Sequence, residues 1–352
     1  MRRLLLVAAF LALIFTGNCL GMDAENVEWE AKHADEAYLM LYQSVHEKLN
    51  RDGSYIEDIH WIKKIQNEDA MDLGEISLFY DKKRQTLSNI KAYITTPDGK
   101  KHRYSMIQDV GGEYSDQRNK IITMPNVVKG SIIECKYSII NKYDLIKGEY
   151  SNIIPLYSMR PLNHYIFTLS VPDDMEIYFK KLNTERSLEA SHANGTTTYK
   201  AEFKNDDIYD EKYSSEEYDL PAIDSAPFIL VSTMKDWGEF SKWYWEIFSK
   251  NMTSNAEIKA EAEKLIKGKT TKEDKIMAIA KYLYQDIRYL QVNFNDHNYE
   301  PHPAVEVFKN KFGDCKDQTV LFATMLKEIG IGSYPAIVRA YTAGNPAPAL
   351  PD

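Results

Sequence analysis

The hydrophobic period of this 352-residue chain changes once, near Asp236. That change restricts it to a strand-rich half followed by a helix-rich half. Up to about residue 204, apolar and polar residues alternate and turn signals recur at short intervals. Asp52-Gly53 separates 38–48 from 55–65, and Asp98-Gly99 separates 87–95 from 102–107. Lys129-Gly130 separates 121–128 from 131–140. Asp-Gly tolerates positive φ, so these read as hairpins. Segments 165–171, 175–181 and 197–203 continue the series. Many short strands at such spacing predict a β-sandwich, and 24 Tyr suit its half-buried faces.

From Asp236 onward, apolar residues recur every three or four positions. Asp236 with Glu239, Ser254 with Glu257 and Thr271 with Asp274 each pair a cap with an acid three residues on. Trp237, Phe240, Tyr244 and Ile247 share one face. Ile276, Ile279, Leu283 and Ile287 share another. Both stripes read as core rather than as a cofactor pocket. The acidic stretch 205–227 has no neighbouring His and reads as a solvated linker, not a metal site. A short strand, 288–294, and a Pro- and His-bearing loop, 295–303, follow the third helix.

The first residues stand outside this pattern. Met1-Arg2-Arg3, an apolar run over 4–15 and then small or polar residues to Gly21 form a signal-peptide pattern. Cleavage near Gly21 sends the chain to the periplasm or cell envelope. An uncleaved anchor, or acylation of Cys19, would be the chain's only link to a membrane. The formal net charge of −9, with no basic block, excludes nucleic acid as a partner.

Beyond Cys19, two cysteines remain. Cys135 shares a period-two face with Ile133, Tyr137 and Ile139 and reads as a buried strand residue. Cys315 lies in Lys311-Phe312-Gly313-Asp314-Cys315-Lys316-Asp317. Gly313 reads as a flexible turn, Asp314 as a helix N-cap, and Asp317 as its partner three residues on. Leu321, Met325 and Ile329 continue the helix to a stop at Gly330. Cys315 therefore sits in the first turn, where the helix dipole favours thiolate, with Lys316 as a minor aid. An accessible cysteine with no chemistry is the alternative on these residues alone.

Gly313-Asp314-Cys315-Lys316-Asp317, preceded by Ile287-Arg288-Tyr289 and Tyr299-Glu300-Pro301, resembles the transglutaminase-like superfamily. With Ser232 to Trp237 and the Gly130 to Glu134 turn, the chain is similar to bacterial exported proteins that join a DUF3857 domain to such a core. The resemblance implies an N-terminal immunoglobulin-like β-sandwich and an α+β papain-like core. The division follows as signal peptide 1–21, sandwich 22–205, connecting segment 206–235 and core 236–352. It implies that Cys315 attacks an amide or peptide carbonyl, that a His on a following strand takes the proton and that an Asp orients that His. Tyr289 falls where some members place an oxyanion-stabilising aromatic. No metal or organic cofactor is implied, and the partner is a protein or peptide substrate, a cell-envelope component among the candidates.

One departure shapes this expectation. All eight His precede Cys315, and the chain stops in what resembles the loop after a core strand, 334–341. The core thus reads as incomplete, with its catalytic His and Asp missing. His297 and His302 are alternative bases or loop contacts, and neither has zinc-ligand spacing. The expected function is thioester-forming amide or peptide hydrolysis, with cross-linking as its amine-accepting variant. A non-catalytic envelope protein that binds peptide or glycan on the same fold is the alternative.

Overall fold

The computed structural model describes residues 24–112, 116–142, 146, 148–210, 226–290 and 299–338. Signal-like residues 1–21, including Cys19, lie outside these ranges. Gly53 and Gly99 take φ values of +79° and +81°, as their Asp-Gly turns require. A Cβ at Gly53 would also come within 2.6 Å of the Gly148 backbone.

The hairpins feed one eight-stranded sheet. Its spatial order is β12 (Glu189–Ala193), β13 (Thr196–Lys204), β10 (His164–Pro172), β1 (Tyr38–Leu49), β2 (Tyr55–Ile65), β8 (Ile132–Asn141), β4 (Gln85–Thr95) and β5 (Lys101–Arg103). A second sheet holds β3 (Glu75–Asp81), β7 (Gln117–Thr123) and β6 (Met106–Val110). The third holds β11 (Tyr178–Leu182), β14 (Phe228–Ser232) and β9 (Ser151–Pro155).

Two sequence expectations change here. The expected strand 102–107 is divided between β5 in the large sheet and β6 in a small one. Lys129-Gly130 closes no hairpin either, because β7 stays in the small sheet while β8 pairs with β2 and β4. Gly130 N–H donates to the Ile65 carbonyl at 2.8 Å, and Ile65 N–H donates to the Ser131 carbonyl at 2.9 Å. The turn is thus tied to the end of β2 and delivers the chain into the large sheet.

Both small sheets pack on one face of the large one. Phe203, Tyr165, Gln43, Trp61, Cys135 and Ala92 are partners along one continuous register row, so their side chains share that face. At one end Phe167, Leu169 and Val171 pack with Ile154, Ile229 and Val231. At the other, Ile94, Ile133 and Cys135 pack with Ile76, Leu78 and Ile122. The β14 strand corrects part of the expected 206–235 linker: all five of its residues are buried and it is the central strand of its sheet. Its apolar run, Phe-Ile-Leu-Val, is too costly to leave in water. Residues 211–225 of that segment lie outside the described residues.

Helix α1 (Ala24–Lys32) carried no sequence expectation. It docks on the β half through buried Trp29 and through His33, whose Nε2 is 2.6 Å from Asp206. The helical half comprises α2 (Trp237–Ser249), α3 (Ala256–Leu265), α4 (Lys272–Asp286), α5 (Ala304–Asn310) and α6 (Cys315–Glu328). Asp236 and Thr271 cap α2 and α4 as expected, but Asn255 rather than Ser254 caps α3, accepting from Ile258 N–H. The apolar face of α6 is central: Val320, Leu321 and Met325 pack with Phe248, Ile258, Ile279 and Val307. Among the described residues no helix is long and apolar enough to cross a membrane.

Candidate active site

The segment that presents Cys315 is built from short local rules. Helix α5 ends on Lys311, whose φ of +58° reverses the chain. The next residues pair in parallel, β15 (Arg288–Tyr289) with β16 (Phe312–Gly313), and place Tyr289 opposite Gly313. Leu290 N–H then donates to the Gly313 carbonyl at 3.1 Å. The expected strand 288–294 is described only as far as residue 290, where it contributes the two residues of β15.

Gly313 has a different purpose from the turn expected of it. Its φ is not in the left-handed region, and the reversal occurs two residues earlier at Lys311. A Cβ on Gly313 would lie 2.6 Å from the Asp317 Cβ and 3.1 Å from its Oδ2. Glycine is therefore required by the close approach of the Asp317 side chain to the backbone.

Asp314 and Asp317 form a reciprocal capping box. Asp314 Oδ1 accepts from the N–H groups of Lys316 (3.1 Å) and Asp317 (3.2 Å). Asp317 Oδ2 accepts from Asp314 N–H at 3.2 Å. Such a cap typically contributes about 1 kcal/mol and fixes the first helical residue, here Cys315. Lys316 Nζ bonds the Asp314 carboxylate, so its charge is matched there instead of being directed at the thiol.

The two cysteines have opposite settings. Cys315 is exposed, whereas Cys135 is 0% exposed on the core face of β8. Burial pushes the Cys135 thiol up to about 12, which leaves almost no thiolate at neutral pH. Burial first, then the charges of Cys315 and Asp314, raise the phenol of buried Tyr244 of α2. Tyr244 belongs to the helical core, as its stripe in the sequence indicated, and its ring neighbours include Phe240, Phe248 and Tyr299. Tyr289 is 58% exposed, placed by the ladder beside the residues that lead into Cys315.

Loop 299–303 supports the opposite side. The Tyr299 ring meets Trp243 and Phe240 edge-on at 5.6 and 5.9 Å. Glu300 accepts from Lys250 Nζ at 2.7 Å and from Asn251 Nδ2 at 3.2 Å. His302 contacts Asp317, with its backbone N–H at 2.8 Å and Nδ1 at 3.1 Å from each oxygen. Both residues line a cavity of about 280 Å³ with Leu290, Val307, Asn310 and Phe312. His297 lies outside the described residues. Residues 334–338 of the expected core strand form no strand, and Tyr334 is 82% exposed. The rest of that expected strand also lies outside the described residues.

No group of three or more His, Cys, Asp or Glu suited to a metal ion occurs among the described residues.

A family model for a domain of unknown function with solved structure, DUF3857, matches residues 51–206. A model of the transglutaminase-like superfamily matches residues 259–344, which include Cys315. Among solved structures, the chain is similar to a candidate protease from Parabacteroides distasonis, at 18% identity and a TM-score of 0.66. The alignment covers 84% of this chain and 59% of that one, and it shows a shared fold. An M1 zinc metallopeptidase from Deinococcus radiodurans reaches a TM-score of only 0.29 at 11% identity, over 56% of this chain and 42% of that chain. No curated protein matches.

Proposed function

We propose that this chain, which joins a DUF3857 domain to a transglutaminase-like core, uses Cys315 as the nucleophile of an amide- or peptide-cleaving reaction. One observation carries the reading. An exposed cysteine is the first residue of a buried, doubly capped helix, inside the segment matched to the superfamily. A helix N-terminus stabilises thiolate, and the cap holds it in one place.

The chemistry follows from the residues. The Cys315 Sγ attacks the carbonyl carbon, and the resulting oxyanion is met by N–H and O–H donors near the helix start. The Cys315 amide and the Tyr289 hydroxyl are the candidate donors. The C–N bond then breaks, and the amine leaves with a proton. Water attacks the thioester to give a carboxylic acid and regenerate the thiol. Hydrolysis is favoured over transfer to an amine because the structurally similar protein is described as a candidate protease.

Amine departure requires an acid–base group, which typically contributes about 10²–10⁴-fold. In the resembling superfamily an imidazole after the cysteine supplies it, and no His follows Cys315 in this sequence. The test therefore measures ammonia or amine release from glutamine-containing peptides with and without added imidazole. The expected result is release that imidazole accelerates and that C315A abolishes. Equal release by C315A would overturn the assignment. Binding of peptide with no Cys315-dependent release would favour a binding protein.

The charged and apolar residues 1–21 support export of the chain to the envelope. N-terminal sequencing of the protein recovered from cells should begin near Met22, and retention of Met1 would contradict that.

A further inference from the structure

We infer that His302 is a positioning residue for Cys315, acting through Asp317. This rests on the reading of Cys315 as the nucleophile. The Asp317 side chain is only 6% exposed, so its charge must be met by nearby donors. Three N–H groups do so: Asp314 N–H at 3.2 Å, His302 N–H at 2.8 Å and His302 Nδ1 at 3.1 Å. An ionised carboxylate only accepts hydrogen bonds, so the imidazole proton sits on Nδ1. Two of these donors come from loop 299–303 and the third from the cap of α6. Asp317 is therefore the joint between that loop and the helix start carrying Cys315.

The consequence is directional. Without the Nδ1 donor, the buried carboxylate is under-satisfied and turns towards solvent. That turn moves Oδ2 away from Asp314 N–H and opens the capping box. The first turn then loosens around Cys315, and the thiol loses the aligned helix N-terminus beside it.

Asn and Gln separate this role from a proton-transfer role. The Asn amide nitrogen reproduces the position of Nδ1, and the Gln nitrogen that of Nε2. Iodoacetamide labelling of Cys315 in the full chain, read by peptide mass, requires no acyl substrate. His302→Asn should label at close to the unsubstituted rate. His302→Gln and His302→Ala should label roughly fivefold more slowly, the scale of one lost helix cap. Labelling of Cys135 in the same samples reports global unfolding. If His302→Ala exposes Cys135, the Asn–Gln comparison decides alone. Equal rates in all variants would overturn the inference, as would an Asn variant as slow as Ala, which would require the imidazole itself. Absence of turnover with the Asn–Gln difference intact would instead overturn the proposed reaction and leave the positioning role standing.

Discussion

At the scale of single residues, the site is set by close approaches that have no slack. Gly313 touches the Asp317 side chain where any Cβ would fall. Gly313→Ala should cost about 1–3 kcal/mol through overpacking, as measured by urea denaturation. A loss under ~0.5 kcal/mol would show that Asp317 moves aside freely. Cys135 makes the opposite case. Its burial and raised thiol predict no iodoacetamide labelling until the protein unfolds, so its labelling curve should follow the unfolding transition. Labelling at low denaturant would place Cys135 in a region that opens locally.

At the scale of elements, strand β14 and the β1–β2 pair show what the sheets demand. Leu230 of β14 is 1% exposed, and truncating a buried Leu to Ala typically costs about 2–5 kcal/mol. A linker residue would cost almost nothing, so the stability of Leu230→Ala discriminates between the two descriptions of that segment. On β1, Glu47 stands directly opposite Glu57 of β2. It accepts from the Tyr150 hydroxyl and from Asn152 Nδ2 at 2.8 Å. Burial raises its carboxyl to about 8, and Glu57 is raised as well. A raised folded-state pKa means the stabilisation is complete below the ordinary carboxyl range. It is lost as pH rises through about 8. Unfolding midpoints should therefore fall between mildly acidic buffer and a pH of about 9, and Glu47→Gln should flatten that fall. An unchanged slope in Glu47→Gln would place the titration elsewhere.

For the molecule as a whole, the change of period at Asp236 was enough to divide a large β-sheet region from a helical part. Cap chemistry located the starts of α2, α3, α4 and α6 to within a residue, whereas α5, which follows Pro303 with no side-chain cap bond, carried no such signal. Sheet membership was not legible, because alternation reports which face a side chain takes and not which sheet its strand joins. The split of 102–107 and the crossover at Gly130 are both failures of that kind. At the site, Gly313-Asp314-Cys315-Lys316-Asp317 signalled the helix start and its cap. The joint between His302 and Asp317, fifteen residues apart in the chain, depends on tertiary packing.

The central claim is that Cys315 forms the covalent acyl intermediate. It is tested most directly by mixing the full chain with an N-acylated glutamine peptide, quenching in acid, where thioesters survive, and mapping adducts by peptide mass. One acyl group is expected on the peptide containing Cys315, lost on hydroxylamine treatment and absent from C315A. An adduct on Cys135, or an identical adduct in C315A, would contradict it.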